Sequence, residues 1–71
     1  MTIPRGIYKH YKGNLYEVWD TATHSETGDK LVVYRALYGE YGVWVRPLNM
    51  FAEEIELEGK KVKRFELLKG F

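Results

Sequence analysis

No cysteine occurs anywhere in this 71-residue chain, and that absence constrains the fold more than any motif does. A domain of this size buries only about 60% of the surface its unfolded chain exposes. Small domains commonly make up the deficit with disulfides or a thiolate-bound metal, and both are excluded here. The histidines, His10 and His24, have no paired ligand spacing, so neither structural zinc nor any other metal or cofactor is expected. What the chain carries instead is aromatic bulk: six tyrosines, two tryptophans and three phenylalanines. A buried aromatic side chain removes roughly 150–250 Å² from water, so about half of them would stabilise a minimal core.

Length excludes a doubly wound nucleotide-binding fold, a β/α barrel and any two-domain enzyme, leaving one domain over residues 1–71. Leu, Ile, Val and Phe supply 19 residues and the charge is balanced, which argues against disorder. The net charge of +1 is too small to indicate nucleic acid by itself. Met1 to Gly6 holds no apolar run of signal-peptide length, and no stretch approaches the length that spans a bilayer. A cytoplasmic monomer with no membrane association is the expectation.

Turn-forming residues divide the chain into short strands. Gly6 to Tyr11 leads to a turn at Lys12-Gly13-Asn14, and Leu15 to Thr23 is rich in strand formers. Ser25 to Asp29 is a turn cluster, after which Lys30 to Tyr38 holds the strongest strand signal. Tyr38-Gly39-Glu40-Tyr41-Gly42 turns into Val43 to Arg46, and Pro47 ends that strand or marks an edge. Leu48 to Ala52 reads as one helical or 3₁₀ turn. Glu54 to Leu57 and Val62 to Leu67 read as a last hairpin across Glu58-Gly59-Lys60, with its glutamates on a solvated face beside a basic strand. Five or six strands with no 3.6-residue periodicity predict an all-β fold, a small SH3-like barrel.

Register decides which aromatics are free. Pairing His24 with Lys30 sets Ala22 opposite Val32 and Asp20 opposite Tyr34. Pairing Leu37 with Val43 sets Val33 opposite Pro47, Arg35 opposite Val45 and Tyr34 opposite Arg46. Val33, Leu37, Val43 and Val45 then form the core face, and Tyr34, Ala36, Trp44 and Arg46 the other. A one-residue slip would invert the assignment. Tyr16, Phe51 and Phe65 are the aromatics assigned to the core.

Several word strings resemble a bacterial family, domain-of-unknown-function family 1653. They are Gly6-Ile7-Tyr8-Lys9-His10-Tyr11-Lys12-Gly13, Tyr16-Glu17-Val18 and Ala22-Thr23-His24-Ser25-Glu26-Thr27, then Val32 to Gly39 and Trp44 to Phe51. The resemblance extends through Arg64-Phe65. Trp19-Asp20 departs from the small apolar residue and glycine of the pattern, which bears on the bulge or twist there. The resemblance implies a compact small β-barrel protein or accessory module, and no activity.

Four constellations bear on function. His24-Ser25-Glu26 has the residue types of a hydrolase, but neighbours at a strand end point apart, and a Ser–His–acid relay needs convergence. Shaping a turn is the plainer role, with His24 at a cleft mouth as the binding alternative. Arg35 and Arg46 sit in apolar strands, where each must find a carboxylate, an aromatic face or solvent. They are either internally satisfied or an anion receptor between aromatic walls. Tyr38 to Gly42 followed by Trp44 offers accessible backbone and amphipathic rings. Glu53, Glu54, Glu56 and Glu58 project into water rather than around a cation.

The sequence therefore points to a non-catalytic binding module. Its ligand-binding residues are Tyr34, Tyr38, Tyr41, Trp44 and Arg46, with His24 and Glu26 at the rim. A peptide segment of a protein partner is the expected ligand. Single-stranded nucleic acid is the alternative, and a small hydrolase using His24 with a carboxylate is a third reading.

Overall fold

A computed structural model describes residues 3–71; Met1 and Thr2, the start of the expected 1–71 domain, lie outside the described residues. The strands are β1 (Gly6–His10), β2 (Leu15–Thr23), β3 (Lys30–Ala36), β4 (Val43–Pro47), β5 (Glu54–Leu57), β6 (Lys60–Lys63) and β7 (Phe65–Gly70), with helix α1 (Leu48–Phe51) between β4 and β5. All ladders are antiparallel. Five strands form one sheet in the order β4-β3-β2-β1-β7, and β5-β6 forms a second. The all-β expectation holds, with seven strands rather than five or six. The main sheet is open in its hydrogen bonding, since β4 and β7 each have one ladder among the described residues.

The extra strand arises at Arg64. Its N–H donates to the Glu53 carbonyl at 3.0 Å, and its own carbonyl accepts from the Tyr11 N–H at 3.0 Å. One residue thus hands the chain from the small sheet to the large one. The expected arm Val62 to Leu67 is therefore two strands: β6 pairs with β5, and β7 with β1. Across the hairpin Glu54 faces Lys63 and Glu56 faces Lys61, so the acidic and basic rows do lie side by side. Its two-residue loop has positive φ at both Glu58 (52°) and Gly59 (78°), the requirement of a type I′ turn.

Register departs from expectation in both central hairpins. Lys30 pairs with Thr23 rather than His24, and Thr21 rather than Ala22 faces Val32. A bulge at Trp19, the departure noted in the sequence, then shifts the ladder so that Val18 faces Tyr34 and Asp20 faces Val33. On the other side Val43 pairs with Arg35 rather than Leu37, which sets Tyr34 opposite Trp44 and Val33 opposite Val45. This second shift is by two residues and preserves the face.

The core lies on the face opposite to the one expected. Val18, Val32, Tyr34 and Ala36 are buried, whereas Val43 and Val45 are 48% and 60% exposed. Two elements outside these hairpins decide the matter. Helix α1 carries Leu48 and Phe51 on one side of its single turn, and β7 opens with Phe65; all three are buried and cover the Tyr34 face. Phe51 and Phe65 stack at 4.0 Å with their planes 4° apart. Tyr8 and Tyr34 meet Phe51 edge-on at 5.4 and 5.5 Å, an arrangement the ring quadrupoles favour. Tyr16 packs against this cluster from its margin. At the far end Gly6 admits β7 closely: a Cβ there would overlap the Lys69 carbonyl oxygen.

Candidate binding site at the open edge of the sheet

Strand β4 has β3 on one side and no ladder on the other among the described residues. Its outer N–H and C=O groups are therefore available to a further strand. Natural edges are commonly blunted by charge, as at Glu66 and Lys69 of β7, yet Val43-Trp44-Val45 carries none. All three side chains are exposed, Trp44 at 59%. The Trp44 indole folds back over Gly42, whose missing Cβ would lie 3.3 Å from the indole nitrogen.

The preceding loop places the tyrosines. The Tyr41 N–H donates to the Tyr38 carbonyl at 3.1 Å, and Tyr41 sits in the left-handed region at φ 58°. Ala36 N–H closes the loop on the Gly42 carbonyl at 2.9 Å. Tyr38 and Tyr41 are both exposed. The Tyr38 hydroxyl lies 2.8 Å from that of Tyr16, which ties the loop to the core margin.

Arg46 projects inward from β4. Its Nε donates to the Tyr34 hydroxyl at 3.4 Å, and its guanidinium lies 5.5 Å from the centre of the Phe65 ring. No carboxylate pairs with it; the one ion pair among the described residues joins Arg64 to Glu53 at 3.2 Å. His10 packs edge-on against the same Phe65 ring at 4.9 Å. Burial, and then the positive charges of Arg64, Arg46 and Lys12, hold the His10 imidazole below its ordinary pKa.

The expected site residues thus separate into three groups. Tyr38, Tyr41, Trp44 and Arg46 lie along β4 and the loop that feeds it. Tyr34 does not join them at the surface. It is a core residue, because α1 and β7 cover its face of the sheet, and only its hydroxyl reaches Arg46. His24 and Glu26 do not line this site either. They lie in the loop before β3, whereas Tyr38 and Tyr41 follow its end, and seven strand residues separate the two ends by about 20 Å. The His24 Nδ1 accepts from the N–H groups of Glu26 and Thr27 at 3.1 and 3.3 Å, so the ring shapes its own turn. Those bonds occupy the nitrogen an acid–base relay would need. Arg35 stacks on Trp19, its guanidinium 4.8 Å over that ring on the outer face, and its buried Nε has no hydrogen-bond partner among the described residues. Sequence reasoning missed His10 at this site, since only the return of Phe65 on β7 brings it near Arg46.

A family model described as a protein of unknown function, DUF1653, matches residues 6–67, from β1 into β7. The chain belongs to the DUF1653 family. A crystal structure of a DUF1653 protein from Bordetella bronchiseptica is similar at 30% identity and a TM-score of 0.87, covering 97% of this chain and 91% of that one. The DUF1653 fold described above is therefore shared across most of both chains. No curated protein matches the chain. No helix among the described residues is long and apolar enough to cross a membrane.

Proposed function

We propose that this DUF1653 protein is a non-catalytic binding module that receives an extended peptide segment of a protein partner along β4. The observation that carries the reading is an open strand edge flanked by three exposed rings, Tyr38, Tyr41 and Trp44. Main-chain bonds to an added strand would supply affinity, and alternate side chains of the peptide would meet the rings on one face and Val43 and Val45 on the other. The cysteine-free composition fits a cytoplasmic setting, and the reading calls for no cofactor.

Amide shift perturbation on labelled protein tests this against extended peptides and short single-stranded oligonucleotides. Peptides are expected to shift the amides from Tyr38 to Arg46. Shifts confined to residues 54–63 would overturn the site. Binding of oligonucleotides alone, with affinity falling steeply in salt, would overturn the ligand class.

A further inference from the structure

The same edge holds an arginine whose chemistry is unfinished. A guanidinium in an apolar strand needs acceptors, and Arg46 has a single long bond to a neutral hydroxyl. Its remaining donors lie beside an aromatic wall: Phe65 on one side and the Tyr34 ring, 5.8 Å from Phe65, next to it. Tyr16 adjoins both rings at 5.4 and 5.5 Å and shares one hydroxyl proton with Tyr38.

We propose that Arg46 is the receptor for a carboxylate, and that the peptide taken up by β4 is acidic at the position that meets Arg46. This rests on the β4 reading above. Cation and aromatic wall together favour a planar anion, which a guanidinium holds through parallel bonds. The charge inventory selects carboxylate over phosphate. Arg64 is already paired with Glu53, which leaves Arg46 to face the ligand, and one guanidinium balances one negative charge. No carboxylate among the described residues is paired with Arg46, and the charges that bear on neighbouring His10 are Arg64, Arg46 and Lys12, all positive.

The test is a pair of capped extended peptides that differ only in one central Glu or Gln, titrated into the intact protein and followed by amide and Arg46 side-chain Nε–H shifts. The Glu peptide is expected to bind roughly tenfold more tightly, the scale of one charge-assisted hydrogen bond. In Arg46→Gln, and partly in Arg46→Lys, that preference disappears while β4 amides still respond. Equal affinity for both peptides, with β4 shifting, would overturn the carboxylate receptor and leave strand addition standing. Failure of both peptides to bind would overturn both. Sodium acetate and inorganic phosphate, titrated separately, provide a check that needs no variant: an Arg46 response to phosphate but not acetate would overturn the assignment of carboxylate.

Discussion

Tyr16 of β2 and Tyr38 of the loop after β3 meet hydroxyl to hydroxyl at 2.8 Å, their rings edge-on at 5.6 Å. Burial first, and then the bond and proximity to Tyr38, push the Tyr16 pKa up to about 12, with the Asn14 side chain offsetting part of the rise. The folded protein therefore keeps this proton where an unfolded tyrosine, at about 10, releases it. Stability from this group is fully present below pH ~10 and is lost as pH rises through about 12. In an ultraviolet titration of tyrosinates, Tyr8, raised by burial, and Tyr16 should both titrate late, and in Tyr38→Phe the Tyr16 component should move down without reaching the ordinary value, because burial remains. A late Tyr16 component unchanged in Tyr38→Phe would refute the coupling.

His10 behaves in the opposite sense. Its folded pKa is lowered by burial and by Arg64, Arg46 and Lys12. Unfolded chains take up the proton first as pH falls, so this contribution is fully present above about 6.5 and declines through that value toward the lowered folded one. Urea midpoints measured between pH ~8 and pH ~5 should fall with pH, and His10→Gln should flatten part of that slope. An identical slope in the variant would show that His10 is uninvolved.

Phe65 stacks on Phe51 and meets the rings of His10, Tyr16 and Tyr34. Phe65→Ala should cost about 3–5 kcal/mol, close to the whole stability of a domain this small, about 5 kcal/mol. Circular dichroism should then show a steeply lowered melting temperature, with up to about half of the chains unfolded at room temperature. Val45→Thr, on the exposed outer face, should stay within about 0.5 kcal/mol of the parent in denaturant titrations.

Glu58 holds a positive φ of 52° at the first position of the β5–β6 turn. Asparagine tolerates that conformation better than glutamate, and Asn-Gly is the preferred pair for this turn. Glu58→Asn should therefore raise stability by a few tenths to about 1 kcal/mol, visible as slower amide exchange in Ile55 and Val62. Faster exchange there would contradict the turn geometry.

Much of the fold was legible because its signals are local. Turn residues marked nearly every strand boundary, and Phe51 and Phe65 announced themselves as core in a chain without cysteine. Register was not legible. The Ser25–Asp29 loop closes on Thr23 rather than His24, and Trp19 inserts a bulge, each moving side chains to the other face. The reach of the core was not legible either: Tyr34 and Trp44 are cross-strand neighbours, one under the core lid and one beyond it. What separates them is the reach of α1 and β7, and that depends on contacts between distant parts of the chain. His24 misled for a related reason, since its neighbours in sequence are its hydrogen-bond partners rather than a site.

The ladder of β1 with β7 pairs Gly6 with Gly70 and so encloses nearly the whole described chain. During synthesis the hairpins of β1 to β4 emerge first, each closing a short loop quickly. Phe51 then waits without its stacking partner until residue 65 is released. Long-range pairing of this kind is slow, because chain entropy is lost before the contacts that reward it are made. Ribosome-bound fragments ending before Phe65 should accordingly expose the aromatic face of the sheet and show no cooperative transition. Cooperative folding of this protein would thus be gated by its final strand, and the interval before that strand arrives is when a nascent chain is most open to aggregation or to a chaperone.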